Sequence, residues 1–261
     1  MFYTEQEPSK IVGTKKPAPC AKTDDFEEFD GEGISITKDH SVYAVGSHSY
    51  SSKNKYKPSS YLLARFKAAS ASSFGTDPTI EYSWRVADVL AQSPVKDFYG
   101  KPKKVGTNIE GIAVIGDDVY LGLRTPVVGK ESYILKASAN ALFKPGPDAY
   151  DGGVKPIPLP LGEDTGIRDL AALANRGLLV LSGPTDEQKV EYKIWYLPSP
   201  IDPATRSERV TVKTNLTGDD GKIAKAESLT VLEQNGDNVV VLINYDNINE
   251  GAPTRHEFTL K

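Results

Sequence analysis

Gly31-Glu32-Gly33-Ile34-Ser35-Ile36, followed by the turn Lys38-Asp39-His40 and the apolar strand Ser41–Val45, decides the reading of this chain because it comes back three times. The further copies open with Ile109-Glu110-Gly111-Ile112-Ala113-Val114, Arg168-Asp169-Leu170-Ala171-Ala172-Leu173 and Ala226-Glu227-Ser228-Leu229-Thr230-Val231. Each is followed by a short polar turn and a second apolar strand: Val119–Leu123, Leu178–Leu181 and Val239–Ile243. Self-similarity at a period of tens of residues marks a repeat architecture. Strand pairs repeated in this way predict an all-β chain, a β-propeller with four recognisable modules and one carboxylate per blade aimed at the central axis.

The intervening sequence supplies the outer strands of four-stranded antiparallel blades. In module one these are Tyr61–Lys67 and Thr79–Arg85, with a short helix over Val86–Gln92. Module two continues with Ser132–Lys136, a helical turn at Ser138–Phe143, and Lys155–Leu161. The alternating prolines of that last segment suit an edge strand, since proline cannot donate to a ladder. Module three adds Tyr192–Leu197 and Arg209–Asn215. Module four adds only Thr254–Leu260, one strand short, and Lys10–Gly13 is expected to supply the missing edge. The whole chain, 1–261, reads as a single propeller domain with residues 1–30 as an N-terminal segment. The acidic heads lie 78, 59 and 58 residues apart, longer than the blades of tight recognition repeats, so loops are long on at least one face.

Composition narrows the function classes. Hydrophobic content of 39% and charged content of 25% are globular values. A net charge of −4 argues against a general nucleic-acid binder, and the lysine clusters Lys53–Lys57 and Lys101–Lys104 read as solvated loops. No run approaches a membrane span, and no basic and apolar leader opens the chain, which fits a soluble, cytoplasmic protein and leaves a periplasmic or secreted one open. Cys20 is the single cysteine, so the fold does not rest on an internal disulfide. The sequon Asn215-Leu216-Thr217 carries little weight without a secretion signal. Signatures for a nucleophile elbow, a P-loop, a dinucleotide fold or a zinc protease are absent from the sequence.

Propeller geometry gathers the chemistry at one mouth of the channel. The first strand of each blade lines the axis, and the second returns to the face where the first began. The heads Glu32, Glu110, Asp169 and Glu227 therefore meet the returning ends Gly46-Ser47-His48, Arg124-Thr125, Ser182-Gly183 and Asn244-Tyr245-Asp246. Converging carboxylates repel unless neutralised by a cation, by Arg124 or Arg168, or by a proton. Two readings stay open. In one, the four acids hold Ca²⁺ or another divalent cation, which oxygen-rich donor sets suit. In the other, they accept backbone N–H groups from the next blade and lock the blades together. His48 is either a base or a hydrogen-bonded loop histidine. Arg124 and Arg168 either grip an anionic ligand or counter the acidic heads.

The ordered motifs Phe29-Asp30-Gly31-Glu32-Gly33-Ile34, Val45-Gly46-Ser47-His48 with Lys57-Pro58-Ser59-Ser60, Asn108-Ile109-Glu110-Gly111-Ile112-Ala113, Leu121-Gly122-Leu123-Arg124-Thr125-Pro126, Gly166-Ile167-Arg168-Asp169-Leu170-Ala171 and Leu181-Ser182-Gly183-Pro184 resemble the bacterial domain-of-unknown-function 3616 family. The resemblance runs from about residue 29 to the C-terminus and implies a propeller-like fold with no established activity. It also implies further strands ahead of the first motif, so that part of a blade is expected to be missing here. The acidic blade starts alone bear a looser likeness to phytase-like esterase and calcium-dependent lactonase propellers, where axial acids bind the metal.

Two functions follow as expectations. The first is a divalent-metal-dependent hydrolase of a small phosphoester, ester or lactone, with the metal on Glu32, Glu110, Asp169 and Glu227, His48 or an unliganded carboxylate as base and Arg124 orienting an anionic substrate. The second is a non-catalytic propeller that binds a small-molecule ligand or a protein partner and whose axial carboxylates are structural. The sequence leaves the oligomeric state undetermined.

Overall fold

The computed structural model describes residues 11–14, 29–51, 55–68, 80–101, 104–212, 216–217, 221, 223–248 and 251–261. Cys20, the proline-rich stretch 15–19, most of the acidic run 24–30 and Asn215 lie outside the described residues.

Four antiparallel sheets stand around a common axis as the blades of a propeller. Blade one contains β1 (Ile11–Val12), β2 (Gly31–Ile36), β3 (Ser41–Gly46), β4 (Leu63–Lys67) and β5 (Glu81–Ser83), followed by α1 (Val86–Ala91). Blade two contains β6 (Asn108–Ile115), β7 (Asp118–Thr125), β8 (Glu131–Ser138) and, after α2 (Ala139–Leu142), β9 (Lys155–Pro160). Blade three is β10 (Thr165–Leu173), β11 (Gly177–Pro184), β12 (Tyr192–Pro198) and β13 (Ser207–Val212). Blade four is β14 (Lys225–Asn235), β15 (Asn238–Asp246) and β16 (Thr254–Thr259). The first strand of each repeat is innermost, as the sequence predicts, and the next strands pair outward in chain order.

The strands are set by alternation, and β7 illustrates it. Val119, Leu121 and Leu123 belong to the core shared with blade one, while Tyr120 belongs to the core shared with blade three. A period of two serves both junctions, because successive side chains leave opposite faces of the sheet. Gly122 lies on the blade-three side, where a Cβ would come 2.6 Å from Ile167 Cγ2. Its absence of a side chain lets β10 approach.

Three of the junctions carry apolar cores: one to two, two to three, and three to four. The seam between blades four and one has no such core among the described residues. Ile34, Ile36 and Leu232 remain 62%, 65% and 49% exposed there. The outer part of blade one's free face is covered instead by a cluster containing Tyr50, Tyr56, Tyr61, Tyr82 and Trp84. No helix among the described residues is long and apolar enough to cross a membrane.

The expected closing strand is corrected. Ile11–Val12 pairs parallel with Tyr82–Ser83 on the outer edge of blade one, and among the described residues blade four has three strands. Local bonds hold it there: Trp84 N donates to Val12 O at 3.0 Å, Gly13 N to Gly146 O at 2.9 Å, and Thr14 Oγ1 to Pro147 O at 2.7 Å. The buried Arg85 beside it reinforces the same perimeter. Its guanidinium donates to the carbonyls of Asp148 (2.8 Å), Ala141 (3.1 Å) and Gly146 (3.0 Å), tying blade one to α2 and the loop that follows it.

Gly122→Ala should lower stability by about 1–3 kcal/mol, the scale of overpacking a filled core, with the fold retained. Urea unfolding followed by tryptophan fluorescence measures it.

Candidate functional site

Every inner strand carries a register shift near its start. The residue skipped in the pairing is Glu32 in β2, Glu110 in β6, Arg168 in β10 and Glu227 in β14. A β-bulge leaves one residue unpaired and re-aims its side chain, which is why this position gathers chemistry. The bulge also corrects the alignment of the repeat. Arg168, not Asp169, occupies the head position of blade three, and Asp169 falls in line with Gly33, Gly111 and Ser228.

This charge reversal at one blade organises the site. The buried Arg168 guanidinium lies between two carboxylates, with Nη1 3.0 Å from Glu110 Oε2 and Nη2 paired with Glu227 Oε2. Glu110 is also buried and is held on its other oxygen by Arg124 Nη1 at 2.7 Å and Asn108 Nδ2 at 3.0 Å. Arg124 Nε then reaches Thr185 O at 2.9 Å. The chain Arg124–Glu110–Arg168–Glu227 thus crosses blades two, three and four with its charges balanced. Burial pushes the Glu227 carboxyl above the usual range despite Arg168, and the repulsion of Glu110 adds to the rise. Burial likewise pushes the Tyr192 phenol, whose field includes Arg168 and Glu227, up to about 12.

Asp169 leaves the other acids and turns into the junction between blades three and four. Its Oδ1 accepts from Leu170 N and its Oδ2 from Leu229 N, both at 2.7 Å. Two N–H donors favour the carboxylate, but burial outweighs them and the Glu110 and Glu227 charges add to it, raising the group to about 8.

His48 sits away from this network, at the mouth end of blade one. It is fully buried with φ +51, in the left-handed region. A carbonyl can only accept, so the 2.9 Å contact to Gly46 O puts the imidazole proton on Nδ1. Its backbone N donates to Ser60 O at 2.9 Å, and its carbonyl accepts from Thr107 Oγ1 at 3.1 Å. The residue therefore joins β3, the turn over Pro58–Tyr61 and the approach to blade two. Burial lowers its imidazole to about 4. Among the described residues it makes no hydrogen bond to the axial carboxylates.

The structure brings Glu110, Glu227 and Arg124 together through Arg168, and leaves Asp169 and His48 in separate junctions. Glu32 holds the equivalent bulge of blade one. The donor set expected for a divalent cation does not fit, because a guanidinium stands between Glu110 and Glu227 and backbone amides take Asp169. Among the described residues, no group of three or more His, Cys, Asp or Glu side chains is placed to hold a metal. Next to the network, at the same mouth, a cavity of about 720 Å³ lies between blades three and four, bounded by Val190, Glu191, Tyr192, Val212, Ile223 and Lys225. The sequence reading missed Arg168 as a head residue, along with Asn108 and Tyr192; the adjacent Arg168-Asp169 pair was the available signal.

A family model described as a protein of unknown function (DUF3616) matches residues 85–258. The chain belongs to that family. No curated protein matches it.

His48 has a lowered folded-state value, so its contribution is complete above the unfolded value of 6.5 and is lost as pH falls through about 4. The difference corresponds to about 3 kcal/mol. Asp169 works in the opposite sense, since its raised value favours the folded state as pH falls from about 8 toward 3.8. The two oppose each other in wild type, so His48 is isolated by comparison with His48→Gln. The stability gap between the two proteins should shrink by about 3 kcal/mol from neutral pH to pH 4, measured by urea unfolding across that range.

Proposed function

We propose that this member of the family is a non-catalytic binding propeller, in which the axial carboxylates hold blades together and the loop-bearing mouth receives a small polar molecule. The observation that carries this reading is the balanced chain Arg124–Glu110–Arg168–Glu227. Each of its charges is already used in a contact, and two of its three ion pairs join different blades. The cavity beside Tyr192 supplies the receiving surface, with Glu191 and Lys225 at its wall and Val190, Val212 and Ile223 giving apolar contact. Mixed charge of this kind suits a neutral or zwitterionic ligand better than a strongly charged one.

A metal-dependent hydrolase remains the competing reading. It draws support from Asp169, whose value near neutrality is what general acid–base work requires. Against it, both Asp169 oxygens are engaged by backbone amides, and His48 is enclosed elsewhere. Such a hydrolase would need Glu110 and Glu227 released from Arg168 before either could serve a cation.

Glu110→Gln separates the two. In the binding propeller it leaves Arg168 and Arg124 undercompensated in a buried setting, which should cost about 3–5 kcal/mol of stability. The wild type should then contain no stoichiometric divalent ion by plasma mass spectrometry, and its melting temperature should ignore EDTA. A thermal-shift screen of small polar metabolites should return a ligand whose effect is lost in Lys225→Met. A stoichiometric ion with an EDTA-sensitive melt, or metal-dependent turnover of a phosphoester or lactone, would overturn the proposal.

A further inference from the structure

The end of the axis opposite the mouth is built from the turns between the first and second strands of the blades. Between those of blades one, two and three lies a cleft of about 520 Å³. Its walls are mainly apolar, from Ile36 and Tyr43 of blade one, Val114 and Ile115 of blade two, and Ala172 and Leu173 of blade three. Ile36 borders the seam and is largely exposed, so the cleft presents uncovered apolar surface.

The charged groups around it are unequal in their commitments. Asp39, also at the wall, is engaged by Lys67 Nζ and Thr37 Oγ1 and accepts from Ser41 Oγ at 3.1 Å, and these partners hold its carboxyl well below the usual range. Asp117 is turned toward α2, where it takes Ser138 Oγ at 2.6 Å and Asn140 N at 2.8 Å. Asp237 is paired with Arg176 and Lys261. Lys38 is different. Its Nζ lies 3.4 Å from Asn175 Oδ1 of blade three, and among the described residues it has no carboxylate partner. An ammonium group with only an amide for company therefore stands over an apolar cleft whose acids are occupied.

We propose that this cleft is a second ligand site, taking a small monoanion with an apolar body, such as an aryl or short acyl carboxylate. The apolar body lies against Ile36, Ile115 and Ala172, and the carboxylate displaces Asn175 from Lys38. Charge complementarity selects the class: a cationic ligand meets an ammonium, and a neutral one forgoes the ion pair. The site is independent of the mouth, which lies at the other end of the inner strands.

Calorimetric titration with 3-phenylpropanoate and its uncharged analogue 3-phenylpropanol tests the proposal. The wild type should bind the acid more tightly than the alcohol. Lys38→Met should bring the acid down to the alcohol's affinity, a loss of about three- to fivefold as expected for an exposed ion pair. Ile36→Asp, at an exposed position that leaves the core untouched, should weaken the acid further. Lys189→Met, at the mouth cavity, should change neither ligand. Equal affinity for acid and alcohol, undiminished binding by Lys38→Met, or no binding by wild type at millimolar ligand would each overturn it.

Discussion

The architecture of the axis depends on one guanidinium. Arg168 is buried where three of the four blades bring their bulged residues together, and two of its neighbours there are carboxylates. An isolated buried charge of either sign is prohibitive, so the arginine and its partners are present together or not at all. The arrangement resolves the repulsion that a ring of identical acidic heads creates. It replaces one head by its opposite and bridges the resulting chain outward through Arg124.

The bulge explains how this is done without breaking the repeat. A strand start that skips one residue frees a side chain from the pleat while the remaining pairs keep their register. The position after the bulge must then be small or locally bonded, since it packs on the next blade. Gly33 and Gly111 meet this by size: a Cβ on Gly33 would stand 2.9 Å from Glu110 O, and one on Gly111 2.9 Å from Leu170 Cγ. Asp169 meets it by chemistry, with its carboxyl taking the amide of Leu229 from the adjoining blade. One repeated backbone irregularity thus supports both the polar axis and the apolar junctions on either side.

Much of the fold was legible because period-two alternation and polar turns belong to each strand pair locally. The innermost strands, their partners and the order of pairing all followed from it. What escaped depended on contacts distant in sequence. Lys10–Gly13 reads as a free edge strand, but the destination of Ile11–Gly13 is decided by Trp84, Gly146 and Pro147. By its place in the repeat Asp169 reads as the third head, but the bulge falls on Arg168, and a bulge is a pairing event that no spacing rule displays. His48 looked available because a loop histidine beside serines reads as polar; its enclosure is produced by the turn over Pro58–Tyr61 folding back onto Gly46 and by Thr107 of blade two.

Among the described residues the seam between blades four and one lacks an apolar core, which gives the propeller two ends. Packing runs along an arc in which each blade leans on its sequence neighbours, so cohesion is passed from one to the next as in a linear stack of repeats. An inner unit of such a stack is clamped on both faces, and a terminal one on a single face. Blade one offsets this with its tyrosine cluster and the added strand β1, while among the described residues blade four has three strands and turns Arg255 and Glu257 outward from its last. The two ends are therefore unequal. On these contacts the C-terminal blade is expected to fray before the junction of blades two and three, which is supported from both sides.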